Sequence, residues 1–104
     1  MATIKILTLP GEEVTTTFWN DFTIADKGGI PAIRDTFERA FAEWKGDYRY
    51  LTNLVLTLNH KSWDFYDVDN DVAEVYVELF EKAQEYALTN LKGKELDYYY
   101  RITD

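Results

Sequence analysis

The stretch with the clearest potential for chemistry is DVDNDVAEVYVE, which begins at Asp67. Four of its carboxylates occupy positions 1, 3, 5 and 12 of a twelve-residue window, as the ligands of an EF-hand calcium loop do. Position 6, where such a loop needs glycine for a sharp turn, is the β-branched Val72. Calcium binding within residues 67–78 is therefore the alternative hypothesis. Its ligands would be Asp67, Asp69, Asp71 and Glu78.

The same segment also has the pattern of a helix with one acidic face. Asp71 and Glu74 have the spacing of a capping box at a helix start. Five carboxylates recur at steps of three and four residues and span about 21 Å of one helical face. We call this row the acidic strip, and it consists of Asp71, Glu74, Glu78, Glu81 and Glu85. Such a row is often an ordinary solvated face, but it also suits contact with a basic protein.

The other polar motifs predict neither catalysis nor direct binding to nucleic acid. His60 is the sole histidine, and no nucleophile or second titratable group is predicted to converge on it. The stretch ADKGGIPAIRDTFERAF resembles a helix-turn-helix, yet it would present Asp35 and Glu38 to the phosphates of DNA. We interpret Asp35 with Arg39, and Arg34 with Glu38, as ion pairs along one helix.

Aromatic residues offer a second type of contact surface. Trp44 lies on an apolar stripe and is expected in the core, as most aromatic residues are. Trp63 and one of the tyrosines 98–100 fall off the apolar stripes. If several of these rings, Trp19 included, stay exposed together, they would mark a protein interface.

Apolar spacing predicts a mainly α, four-helix single domain over residues 1–104 with a small β element. Residues 3–8 and 13–17 form the predicted β-hairpin, and Thr17 then caps the first helix. In the tail from Glu95, apolar residues alternate as in a strand, which could join the hairpin. A short helix is the alternative. Gly28-Gly29, Gly46 and Gly93 are predicted to end helices. The predicted apolar stripes begin at Phe18, Ile30, Leu51 and Val72.

Composition restricts the possible functions further. The 104 residues carry 11 Lys and Arg against 19 Asp and Glu, a net charge of −8, which disfavours contact with phosphate backbones. No cysteine is present, which excludes disulfides and thiolate zinc sites. No signal peptide or membrane-length apolar run is recognised, so a cytoplasmic, cofactor-free protein is expected.

Four segments resemble a family of small uncharacterised proteins associated with phages and conjugative elements of gut Firmicutes. They are TTFWNDFTIAD, AIRDTFERAFAEWK, YLTNLVLTLNHKSW and NLKGKELDYYYRITD, and the resemblance covers about residues 15–104. It implies a mobile-element setting but no activity, ligand or catalytic residue. One departure is Gly28, where the family pattern leads us to expect a bulky apolar residue.

These observations favour a non-enzymatic, acidic interaction protein that binds a basic protein surface through the acidic strip. A variant of this hypothesis is DNA mimicry, in which carboxylates replace phosphates in the site of a nucleic-acid-binding protein. The oligomeric state and the identity of the partner are not specified by the pattern.

Overall fold

Five α-helices build the part of the chain that the structure describes. This computed structural model describes the backbone of residues 10–103 and the side chains of residues 18–103. No strand is found in that range. The helices are α1 (Pro10–Asp26), α2 (Ile30–Trp44), α3 (Tyr48–Asp64), α4 (Asn70–Asn90) and α5 (Lys94–Thr103).

Helix α3 is the central element, because it packs against each of the other four helices. Its predicted stripe of Leu51, Leu54, Val55 and Leu58 is fully buried. Burial continues around the helix to polar residues, and some of these bond back along the chain. Asn53 Nδ2 donates to the Arg49 carbonyl at 2.7 Å, and Thr57 Oγ1 donates to the Asn53 carbonyl at 2.8 Å.

The predicted β element is wrong over residues 13–17, which are helical in α1. Thr17 is therefore inside a helix rather than its cap. Pro10 begins the helix at the position where its fixed φ is favourable, and the helix continues through the β-branched run that follows. The first arm of the predicted hairpin, residues 3–8, lies outside the described residues.

The C-terminal tail is the fifth helix and not a strand, so the predicted count of four helices is too low. Gly93 has φ +60°, which lets the chain turn after α4. In α5, Leu96 and Tyr99 lie three residues apart and pack into the core together. Docking of α5 on α3 also explains the burial of Asn53, whose amide donates to the Tyr98 hydroxyl at 3.1 Å.

The glycine and proline signals between α1 and α2 are confirmed. Gly29 has φ +86° and ψ −173°, a conformation that is essentially restricted to glycine, and Pro31 lies in the first turn of α2. A Cβ atom on Gly28 would lie 2.7 Å from the Cβ of Ala32. The bulky residue expected at position 28 would thus require the two helices to shift.

Helix α4 is confirmed with its apolar stripe, but its cap is Asp69 rather than Asp71. One Asp69 carboxylate oxygen accepts from the amides of Asp71 and Val72 at 3.1 and 3.3 Å. The chain is extended at Asp69, which is the usual backbone conformation of an N-cap residue. Asp71 instead lies in the first turn, where the helix dipole favours its charge.

Alanine at position 69 is expected to lower the free energy of unfolding by about 1 kcal/mol, because two amides lose their acceptor. Alanine at position 71 should cost only a few tenths, since it removes a charge–dipole contact and no hydrogen bond. Urea denaturation of both variants measures the difference. A larger loss for Asp71→Ala would restore the capping box predicted from the sequence.

Candidate functional site

The acidic strip lies on the exposed side of α4, and all five of its side chains are exposed. Glu78 differs from the others because Arg34 of α2 binds both of its carboxylate oxygens, at 2.9 and 3.1 Å. The hydrogen bonds from Arg34, followed by its charge, lower the pKa of Glu78. Arg34 thus pairs with Glu78 of α4. The sequence had predicted that Arg34 pairs with Glu38 within α2, and this prediction is wrong.

A second ion pair also joins α2 and α4. Lys82 Nζ lies 3.5 Å from Glu38 of α2, one turn along α4 from Glu78. Within α2, the predicted pair of Asp35 and Arg39 is present at 3.2 Å. Glu78 is therefore part of an internal contact, although it is exposed.

The rest of the strip is available to solvent. No ion pair among the described residues involves Asp71, Glu74, Glu81 or Glu85. Neighbouring like charges on a helix repel, so a row of this kind slightly opposes folding. A cation from a partner would relieve that repulsion at four of the five predicted positions.

The calcium alternative does not fit this geometry. Helix α4 begins at Asn70, so Asp71 and Glu78 lie on a helix and cannot close a loop around an ion. Asp69 is engaged as the helix cap, and Glu78 is held by Arg34. Among the residues that the structure describes, no group of three or more acidic, histidine or cysteine side chains could hold a metal ion.

The aromatic residues divide between core and surface. Trp44 is half-buried and stacks on Tyr50 with ring centroids 4.0 Å apart. Tyr99 is buried, whereas Tyr100 and Trp63 are exposed by 48% and 70% of their surface. The prediction that Trp63 and a tail tyrosine stand outside the core is confirmed.

A buried charged cluster joins three helices, and the sequence reasoning missed it. Lys61 of α3 is only 3% exposed, and its ammonium lies 2.6 Å from Asp26 at the end of α1. The Tyr76 hydroxyl of α4 donates to the other oxygen of Asp26 at 2.5 Å. The ring of Trp19 lies 4.7 Å from the ammonium, close enough for a cation–π interaction.

Burial of Tyr76 raises the pKa of its hydroxyl, and the hydrogen bond to Asp26 raises it further. A signal for the cluster was present in the sequence. Lys61 follows Leu58 by three residues and precedes Phe65 by four, so it interrupts an apolar stripe with a charge. A charge at such a position predicts a buried partner, but not which carboxylate supplies it.

Three surface grooves lie among the described residues. One, of about 470 Å³, lies between α1 and α2 and has Ile24, Asp21 and Glu43 among its lining residues. Two others, of about 340 and 190 Å³, adjoin along α3 and α4, the smaller one reaching α5. None of these three grooves is lined by Lys61, Asp26 or Tyr76 of the buried cluster.

Comparisons with protein families, with curated proteins and with solved structures find no match to this chain. The resemblance to phage and conjugative-element proteins therefore stays a prediction. Among residues 10–103, no helix has the length and apolar content needed to cross a bilayer.

Proposed function

We propose that this chain is a non-catalytic protein-binding module whose acidic α4 surface binds a basic protein. The observation that carries the proposal is the exposure of Asp71, Glu74, Glu81 and Glu85 without a cationic partner among the described residues. They line one helix over about 21 Å. The net charge of −8 would also attract a basic partner from a distance.

The pairing of Glu78 refines which residues make the contact. Arg34 of α2 forms an ion pair with Glu78 of α4, so this carboxylate contributes to the contact between the two helices. Glu74 and Glu81 carry no such contact among the described residues and lie seven residues apart, which is two turns of one face. They are the strip residues whose reversal tests binding with least effect on the fold.

Reversal of two strip charges, Glu74→Lys with Glu81→Lys, is expected to weaken capture of basic proteins from a lysate about tenfold or more. Two attractive contacts become repulsive, and 1.4 kcal/mol already equals a factor of ten. The measurement is affinity capture with quantitative mass spectrometry, followed by titration of one purified captured protein.

The matched control is Asp21→Lys with Glu43→Lys, which changes the net charge equally on exposed positions of α1 and α2. Retained binding by the control shows that the effect is local to α4. Equal capture by both variants would refute the strip. Displacement of the captured protein by duplex DNA would favour the DNA-mimicry variant, in which the partner's nucleic-acid site is occupied.

A further inference from the structure

Exposed apolar side chains concentrate on one side of the protein. Seven large apolar residues are exposed among the described residues, and five of them line the two adjoining depressions along α3, α4 and α5. Contiguous exposed apolar surface of this kind marks sites of association. The five residues are Trp63, Tyr66, Val77, Leu88 and Tyr100.

The two depressions form one groove, because Asn59 and Phe80 line both of them. Along α4 the groove extends from Asn70 to Leu88, a length of about 27 Å. A partner helix of about 18 residues has that length. The shape therefore suits an amphipathic helix laid along the groove, with apolar residues spaced at i, i+3/i+4 and i+7.

The charges beside the groove indicate that the partner helix is positively charged. Among the described residues, Glu74 is the one charged residue that lines either depression. Glu74 and Glu81 lie three and four residues from Val77 on α4, and Glu85 lies three residues from Leu88, so each adjoins the apolar wall. An acidic border beside an apolar floor complements lysines and arginines that flank apolar anchors.

We infer that the groove between α3, α4 and α5 binds a basic amphipathic helix of a partner protein. Its apolar residues pack between Trp63 and Val77 and toward Leu88, and its cations lie over Glu74, Glu81 and Glu85. This inference rests on the proposed function and deepens it, since the strip becomes the border of a hydrophobic site. The apolar floor supplies affinity, and the carboxylates supply orientation and the rate of encounter.

The inference is tested with designed peptides of about 18 residues and isothermal titration calorimetry. One peptide carries leucines at i, i+3/i+4 and i+7 among lysines. A second has the same composition in scrambled order, and a third replaces every lysine with glutamate. We expect the first to bind at least tenfold more tightly than either of the others.

Two variants of the full chain locate the site. Trp63→Ala with Val77→Ser should weaken the first peptide at least tenfold, since both residues are exposed and line the groove. Ile24→Ala with Val68→Ala removes exposed apolar residues outside the two depressions and should leave binding within twofold. Circular dichroism checks that both variants are folded.

Failure of the groove and failure of the proposed function give different results. If the scrambled peptide binds equally well, and only Glu74→Lys with Glu81→Lys weakens it, the groove is overturned while the acidic surface stands. If the glutamate peptide binds as tightly as the lysine peptide, both are overturned. If sedimentation instead shows dimers that Trp63→Ala with Val77→Ser dissociates, and no peptide binds, the occupant is a second copy and the inference is overturned.

Discussion

Asp26→Ala is expected to lower the free energy of unfolding by about 3–5 kcal/mol, because it leaves the Lys61 ammonium buried without a counter-ion. Lys61 is 3% exposed and Asp26 is 17% exposed, so water that enters at the position of the lost carboxylate hydrates the ammonium only in part. The Tyr76 hydroxyl loses its acceptor in the same variant, which adds to the cost. Urea denaturation followed by circular dichroism measures the change.

A double-mutant cycle separates the ion pair from the rest of the cluster. Lys61→Met keeps the length and apolar body of the side chain, so Asp26→Ala with Lys61→Met should recover most of the stability that Asp26→Ala loses. The surrounding rings of Trp19 and Phe65 suit a thioether as well as they suit the lysine chain.

The exposed pair of Asp35 and Arg39 is the matched control for this cycle. Because water screens this pair, Asp35→Ala should change stability by less than about 1 kcal/mol. If Asp26→Ala cost no more than the control, Lys61 would have to reach solvent in the folded protein, contrary to its burial.

Helices with a strong apolar period were predictable from the sequence, and α4 shows why. Val75, Tyr76, Leu79 and Ala83 are all buried on one side, while carboxylates fill much of the other. The apolar side of α4 is thus favourable only in the core, and this holds for any arrangement of the other helices. The acidic strip was identified for the same reason, since its spacing is local.

The chain ends were mispredicted because local preference and tertiary packing disagree there. Residues 13–17 are β-branched or polar, and residues 96–102 alternate, so both segments favour strands locally. Leu96 and Tyr99 nevertheless gain more by packing on α3 from a helix, which their three-residue spacing allows. The choice between helix and strand depends on packing against α3, so the sequence of the segment alone does not predict it.

The important polar contacts were also beyond prediction from spacing. Arg34 and Glu78 are 44 residues apart, and Asp26 and Lys61 are 35 apart. Arg34 had a local candidate in Glu38, but the structure uses the partner across the helix seam. The groove combines residues of three helices and the α3–α4 connection, so its existence required the fold, even though the exposure of Trp63 was anticipated.

Raising the pH from 9 to 12 is expected to lower the free energy of unfolding more in the natural chain than in the Tyr76→Phe variant. The folded pKa of Tyr76 lies above its ordinary value, chiefly because the hydroxyl is buried. The unfolded chain therefore releases this proton near pH 10 while the folded protein retains it. Stability from Tyr76 is fully present below pH 10 and is lost as the pH rises, at about 1.4 kcal/mol per unit.

Urea denaturation at pH 9, 10, 11 and 12 measures this slope. Tyr76→Phe should start about 1–2 kcal/mol less stable, because Asp26 loses a donor, and should then lose less stability per pH unit. Burial also raises the pKa of Tyr99, so some alkaline loss remains in the variant. Tyr66→Phe is the matched control, since Tyr66 is 70% exposed, and it should keep the natural slope. Equal slopes for Tyr76→Phe and Tyr66→Phe would show that the Tyr76 hydroxyl ionises as readily in the folded chain as in the unfolded one, which its burial beside the Asp26 carboxylate opposes.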